Sequence, residues 1–334
     1  MVTRSQALFN WPILGHSPIK TYLQSCIATD TLGQAYLLLG PQHIGKYRIA
    51  LTAAKSILCT QSQKKPCGIC PNCEQIEKNI HADVDIISCN FDKKNISIQQ
   101  IRHLQHKLSL RSFLASYKIA IINGAENLSE EAANALLKTL EEPLGKTVFF
   151  LIAENKNLIP PTIVSRCLQL QCSVLPTHQI ENWLITRGTP TTDARVLAKL
   201  ANGKPGIAIN ALSDTSFVQQ RTERINILLT VLKSSIIGRF EAVSKLVGQK
   251  EETGINQIDE TLKDWLSLLR DVYLVRSGIS QVVNSSQNNT IKKLAAMFTN
   301  SRLVRSIDII SKSRSLLAKS VNPTIILEHL VLTI

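Results

Sequence analysis

The sequence predicts an α/β fold: a parallel sheet wrapped by helices, followed by an all-α C-terminal third. Three observations predict it. Lys118 to Ala153 reads strand, helix, strand. Tyr36 to Leu58 reads apolar strand, glycine-rich turn, helix. From Phe217 onward, apolar residues recur at helical spacing. Strand, helix, strand at this separation is one unit of a parallel sheet, because parallel neighbours need a crossover connection.

Composition sets the outer bounds. A chain of 334 residues exceeds one typical domain, so two or three are expected. With 44% hydrophobic and 19% charged residues, it has ample material for cores and is no disordered chain. The balance of 38 Lys and Arg against 25 Asp and Glu gives a net charge of +13. That excess suits a nucleic-acid partner or an acidic protein surface, and equally a scattered basic surface. No apolar run reaches the roughly 20 residues needed to span a bilayer. Asn10 and Pro12 interrupt the N-terminal apolar stretch, which argues against a secretory signal and for the cytoplasm. In that compartment the eight cysteines read as reduced or metal-bound rather than as disulfides.

Residues 1–35 carry one helix, near Pro18 to Thr29. Tyr36 to Leu39 is a buried strand ending at Gly40. Gly40-Pro-Gln-His-Ile-Gly45-Lys46-Tyr47 then has the GxxxxGK spacing of a phosphate-binding loop, and a helix with Ile49, Ala50, Ala53, Ala54, Ile57 and Leu58 on its apolar side follows. Glycines in such a loop let backbone N–H groups approach phosphates, the lysine carries positive charge, and a final Ser or Thr hydroxyl ligates Mg²⁺. Tyr47 stands at that last position, and a phenol cannot place its oxygen where a short hydroxyl would sit. Gly40, Gly45 and Lys46 are kept, which leaves two readings open: phosphate binding without hydrolysis, or a tight turn with no ligand.

Cys59, Cys67, Cys70 and Cys73 follow, with Pro66, Gly68, Pro71 and Asn72 between them. Turn-forming residues between closely spaced cysteines let four thiolates converge on Zn²⁺. Four protein ligands leave no open position, so the metal would be structural. Lys64 and Lys65 beside it read as solvated lysines or as nucleic-acid contacts. Cys26, Cys89 and Cys172 have no partners at metal spacing and read as small buried hydrophobes. His81 to Ile87 opens a further strand, and His81 is not needed as a ligand. A helix capped near Ser97 turns Ile98, Ile101, Leu104 and Leu108 inward. Its Arg102 and Lys107, with Arg111, are DNA-contact candidates or a solvated face, and His103 and His106 are surface residues.

Lys118 to Ile122 has the β-branched content of a buried strand. Ser129 caps a helix whose first turn carries Glu130 and Glu131. Ala133, Leu136, Leu137 and Leu140 share one face, and Pro143 stops the helix. Thr147 to Ala153 is the next strand. A short Pro-started helix, Pro160 to Val164, leads into Ser165-Arg166-Cys167. Leu168 to Leu170 is a fifth strand, and Val174-Leu-Pro176 closes the first domain. Helices are expected at Ile180–Thr186 and Asp193–Leu200, with a change of character around Ala208–Thr215. Further helices are expected at Phe217–Ile236, Ile255–Val275, Ile291–Phe298, Leu303–Leu317 and Thr324–Leu332, with a polar linker at Asn284–Asn289. There is no internal repeat.

Two words in this chain, NALLKTLEEP (Asn134–Pro143) and PPTIVSRC (Pro160–Cys167), closely resemble the bacterial clamp-loader subunits of the replicative DNA polymerase, ring-forming proteins of the AAA+ class. Active members carry Asp-Glu at the end of the strand that here ends in Asn123-Gly124. An amide is a poor Mg²⁺ ligand and glycine offers no base, while Glu126 lies two residues beyond. Ala153-Glu154 occupies the region of a small polar sensor. Gly203-Lys-Pro-Gly206 is similar to the second sensor turn, with Gly206 where active subunits carry Arg. With Tyr47, four parts of an ATPase site are degraded together, so the resemblance implies a subunit that does not hydrolyse ATP.

The same resemblance implies that Arg166, in its Ser165-Arg166-Cys167 motif, points out of its own subunit into the ATP site of the next. An arginine finger there accelerates hydrolysis by roughly 10³–10⁵, helped by a permanent charge and a fixed fork of donors. The bland alternative is a surface arginine paired with a nearby carboxylate. The helix Ser129–Glu142 would then be a scaffold holding Arg166 at the subunit edge. Within the family the chain is most similar to the delta-prime type, which pairs a broken ATP site with a kept arginine. Tyr47 and Asn123-Gly124 separate it from the gamma and tau motor subunits.

The implied layout is an AAA+ α/β domain at 1–175 with a zinc module at about 59–80, a helical lid at 176–210, and a helical collar at 211–334. The implied function is that of a non-catalytic ring subunit of the polymerase III holoenzyme, a nucleotidyltransferase complex. It would carry structural zinc, and its phosphate loop would be a vestige for which ATP is a doubtful ligand. Its partners would be gamma/tau and delta subunits, the sliding clamp and primer–template DNA, without a membrane. Two alternatives compete: a weak ATPase using Lys46 and Glu126, and a stand-alone zinc-containing DNA-binding protein.

Overall fold

The structure is a computed structural model that describes residues 8–89, 95–110, 117–142, 145–247, 251–279, 282–284, 287–318 and 321–334. Pro143 and Arg111, singled out above, lie outside the described residues. The chain divides into two compact units: Met1–Gln179 with Lys204–Gly206, and Ile180–Gly203 with Ile207–Ile334.

The first unit is built on a parallel sheet. Its strands are β2 (Ala35–Leu39), β4 (Val84–Ile87), β5 (Lys118–Asn123), β6 (Thr147–Ala153) and β7 (Leu168–Gln171), in the order β4-β5-β6-β2-β7. A separate parallel pair joins β1 (Leu8–Phe9) to β3 (Lys64–Lys65). The central strands are apolar along almost their whole length because both faces of the sheet are covered. Tyr36, Leu38, Ile119, Ile121, Phe150 and Ile152 face α1 (Ser17–Thr29) and α2 (Lys46–Leu58). Leu37, Leu39, Ile122, Phe149 and Leu151 face α4 (Ile98–Ser109) and α5 (Glu130–Glu141) on the other side, with α3 (Pro71–Glu77) lying between α2 and β4 in the chain. Tyr36 stacks on Phe150 with ring centroids 5.4 Å apart.

Register brings three strand ends level. Leu39 pairs with Ala153, and Asn123 pairs with Ile152. The loops after β2, β5 and β6 therefore emerge at one edge of the sheet, where open parallel sheets bind their ligands. Local chemistry starts the flanking helices. Ser97 and Gln100 form a reciprocal capping box on α4. The Ser129 side chain accepts the Ala132 N–H at the head of α5, as expected. The short α6 (Pro161–Val164) opens on proline, which lacks the N–H that a first helical turn leaves unbonded anyway.

Helices follow: α7 (Thr177–Ile185), α8 (Thr191–Ala201), α9 (Pro205–Ser213), α10 (Thr215–Lys233), α11 (Ile236–Val247), α12 (Glu251–Arg276), α13 (Asn288–Met297), α14 (Asn300–Ala318) and α15 (Pro323–Thr333). Around Ala208–Thr215, where the sequence only suggested a change of character, there is a helix, α9, and then a break at Asp214, whose side chain caps α10. The second unit packs on Trp265, Leu262, Leu268 and Leu269, and the Trp265 indole donates to the Arg224 carbonyl at 2.8 Å. The expected polar linker needs a correction. Asn284 is buried, because the Asp271 carboxylate accepts N–H groups from Val283 and Asn284, and Asn288 already belongs to α13. Among the described residues, no helix is long and apolar enough to cross a membrane.

Candidate functional site

The glycine-rich loop leaves the sheet directly from β2. Gly40 has φ 145°, and a Cβ there would stand 2.3 Å from the Cys172 carbonyl oxygen, so no side chain fits. Gly45, with φ 104°, makes the turn into α2. Both glycines of the GxxxxGK spacing therefore sit where the backbone requires them. The loop's lysine is turned inward. Lys46 is buried, and its ammonium donates to the carbonyls of Gly40 and, at 2.8 Å, Pro41. Burial pulls its pKa below the usual lysine range, partly offset by Glu154 and Glu126. His16 donates Nε2–H to the Ile44 carbonyl at 3.0 Å, and burial lowers its pKa. Tyr47 packs against the core face lined by α1 and α2, and its phenol meets the Asn79 side chain. The hydroxyl is directed to Asn79, as a large ring at that position would require.

The other elements of the sheet edge converge on the same loop. Asn123 is exposed at the end of β5, and Gly124, at φ 85°, opens a single 3-10 turn, Ala125–Asn127. Glu126 on that turn accepts the Glu154 backbone N–H at 3.2 Å through one oxygen. Its other oxygen is buried without a partner among the described residues, and burial raises its pKa. Gly206, within the same compact unit, donates its N–H to the His43 carbonyl at 2.8 Å. A Cβ on Gly206 would lie 2.8 Å from that oxygen. The position therefore lacks an arginine and has no room for one as the backbone stands. The structure brings Lys46, Glu126, Glu154 and Gly206 together around one loop that holds itself closed with its own groups.

The cysteine tetrad assembles as its spacing requires. Cys59 follows α2, Cys67 lies in the loop after β3, Cys70 is the residue before α3, and Cys73 is on α3. All four sulfurs lie within 4.8 Å of one another, with Cys67 and Cys73 4.0 Å apart. Four thiolates about 2.3 Å from one Zn²⁺ would stand about 3.8 Å apart. The Cys67 and Cys70 N–H groups donate to the sulfurs of Cys59 and Cys67 at 3.5 and 3.3 Å, the kind of support that thiolate ligands receive. Burial opposes ionisation of Cys70, and hydrogen bonds involving Thr60 and Cys73 outweigh it and hold the thiol at about 6. This donor set could bind a metal ion. His81 lies apart, with Nδ1 accepting the Asp83 N–H. Cys26 and Cys172 are buried as expected, whereas Cys89 is only half-buried.

Ser165-Arg166-Cys167 splits three ways at the end of α6. Ser165 Oγ donates to the Thr162 carbonyl at 3.1 Å. Cys167 turns into the core, where burial pushes its thiol up to about 11. Arg166 turns outward, with 37% of its side chain exposed. One terminal nitrogen donates to the Thr162 carbonyl at 2.9 Å, and the other pairs with the Glu141 carboxylate. Sequence reasoning named neither Glu141 nor the Gln100 half of the capping box. The signal for Glu141 was there: two acidic residues end a helix at its negative pole, where a carboxylate is unfavourable unless a cation meets it.

A family model described as DNA polymerase III, delta subunit, matches residues 15–176, and one for its C-terminal part matches residues 217–334. The chain is 31% identical to DNA polymerase III subunit delta' of Bacillus subtilis, over 94% of each chain. It is likewise 31% identical to subunit delta' of Pseudomonas aeruginosa, over 71% of each. It is 29% identical to DNA polymerase III subunit tau of Escherichia coli, a match covering 81% of this chain and 43% of that one.

Proposed function

We propose, from the premise that the chain belongs to the DNA polymerase III delta' family of clamp-loader subunits, that it is a ring member without ATPase activity of its own that lends Arg166 to a neighbouring subunit. The observation that carries this reading is the contrast in donors. Lys46 is buried and bonded to the carbonyls of its own loop, whereas Arg166, just past the end of α6, stays partly exposed and keeps N–H donors to spare beyond its bonds to Thr162 and Glu141. An arginine reaching a neighbour's nucleotide stabilises charge on the transferring phosphate in a way that a flexible ammonium does less well. The neighbours would be gamma/tau and delta subunits, and the assembled ring would act on the sliding clamp and primer–template DNA in the cytoplasm. Residues 176–210 would serve as the lid, and 211–334 as the collar.

Cys59, Cys67, Cys70 and Cys73 would hold zinc, closing the loop after α2 and leaving no coordination position for chemistry. Metal analysis of the purified chain should find about one zinc per chain, lost in Cys73→Ser.

The test of the main reading is reconstitution with the partner ATPase subunits. Arg166→Ala should leave the ring assembled and lower ATP turnover and clamp loading on primed DNA. Unchanged turnover and loading would end the trans reading. The weak-ATPase alternative predicts turnover by the isolated chain that disappears in Lys46→Ala.

A further inference from the structure

Glu141 and Glu142 end α5 at the pole where its own unbonded carbonyls already concentrate negative charge. The helix gains nothing from a carboxylate there. Glu141 instead pairs with Arg166, which follows β6 and α6 in the chain. The arginine is thereby held at two points by two elements: one terminal nitrogen on the Thr162 carbonyl of α6, the other on Glu141 of α5. Two bonds from two nitrogens fix the plane of a guanidinium as well as its position. The group has five N–H donors in a rigid fork, so these two bonds leave others free to receive an anion. The side chain is also still 37% exposed. It is held and accessible at once.

We propose that Glu141 is a positioning residue that pre-orients the Arg166 guanidinium toward a phosphate oxygen of nucleotide bound by a neighbouring subunit. This rests on the trans role of Arg166. A long arginine free to sample its rotamers must be ordered by the phosphate as the reaction proceeds, and part of the electrostatic stabilisation is lost in doing so. Glu141 does that ordering before the nucleotide arrives. Its charge also works the other way, since a carboxylate beside the guanidinium weakens the field at the phosphate. Salt weakens both effects at an exposed site, but the orientation is set by direct hydrogen-bonded contact with Glu141, whereas the opposing field acts over the longer distance to the phosphate, so removal of Glu141 lowers the rate. An exposed ion pair contributes little to folding, so a purely structural role would leave the rate unmoved.

The experiment uses the reconstituted loader with full-length subunits. Glu141→Ala, Glu141→Gln, Arg166→Ala and the double variant are compared for ring assembly, and for kcat and KM of clamp- and DNA-stimulated ATP turnover. Glu141→Ala should assemble normally and lose about three- to tenfold in kcat, the scale of ordering one long side chain, with KM for ATP little changed. Glu141→Gln keeps an acceptor oxygen and should recover most of the loss. In the Arg166→Ala background, Glu141→Ala should have no further effect. Wild-type kcat in Glu141→Ala beside a slow Arg166→Ala overturns the positioning role and leaves the trans arginine standing. Wild-type kcat in Arg166→Ala removes the reading beneath it. A Glu141→Ala loss that persists without Arg166 assigns Glu141 to something else and overturns the proposal. If Glu141→Ala does not assemble, Glu141→Met takes its place, keeping the length of the side chain but removing every acceptor. A wild-type rate there overturns the proposal equally.

Discussion

Lys46 and Arg166 are both cations kept at motif positions on the same α/β unit, and the chain treats them in opposite ways. Lys46 is buried, bonded to the carbonyls of Gly40 and Pro41 and offset by Glu126 and Glu154. Arg166 is exposed, held from two sides, and has donors to spare. A motif residue can therefore persist for different reasons at two places in one fold. In the first case it completes the packing of a loop, and in the second it is presented outward. Burial and hydrogen-bond partners separate the two cases where residue identity does not.

The largest effect that would break this contrast is kinetic. In a ring whose other ATP sites are inactivated, Arg166→Ala should slow the site it faces by about 10³ or more, read as single-turnover hydrolysis. Lys46→Ala in the same ring should leave that rate alone. A comparable loss from Lys46→Ala would show that the buried lysine meets nucleotide after all.

Next in size is stability. Lys46→Ala removes a buried donor from two carbonyls and strips Glu126 of a compensating charge, at a cost of about 1–3 kcal/mol. That loss should appear in the denaturation midpoint of the isolated chain. MgATP should not raise the wild-type midpoint, since only a ligand that binds the folded state does so. Gly206→Ala should cost a similar amount, about 1–3 kcal/mol, because its Cβ would meet the His43 carbonyl at 2.8 Å. Restoring Thr at Tyr47, Asp at Asn123 and Glu at Gly124 should still give no turnover while Gly206 remains locked to that carbonyl. Turnover in that triple variant would mean that the site failed through side chains alone.

What was legible in the sequence follows the same division. Strands β2, β5 and β6 were readable because a sheet covered on both faces needs apolar residues throughout, and β6 has the bounds that its composition suggests. The cysteine tetrad was readable because its four members are close in sequence. The pairing of β1 with β3 was not, since two residues per strand carry no periodicity. α9 was obscured by Pro205 and Gly206 at its start, which read as a turn. Gly206 itself illustrates the limit. Its place in the sequence carries no sign of the backbone contact that excludes a side chain there, the hydrogen bond to the His43 carbonyl, far away in the chain. The pairing of Glu141 with Arg166 is likewise a tertiary fact. The sequence could flag an acidic residue at the wrong helix end without saying which cation answers it.

The smallest expected effect concerns Glu126, one of whose carboxylate oxygens is buried without a hydrogen-bond partner among the described residues. Burial raises the Glu126 pKa above its ordinary value despite the nearby Lys46. A carboxyl whose folded pKa lies above its unfolded value favours folding most when protonated. That stability is complete below the unfolded pKa and is lost as pH rises through the folded one. At neutral pH the ionised Glu126 is therefore a net cost to the fold. Glu126→Gln, which imitates the protonated form, should raise the melting temperature at neutral pH by about a degree, and the gain should vanish in acid below the ordinary carboxylate range. If Glu126 instead served as a base for hydrolysis, the same substitution would abolish turnover by the isolated chain. A drop in melting temperature at neutral pH would mean that Lys46 needs this carboxylate more than burial penalises it. The closed loop would then be held by an ion pair rather than by its own carbonyls.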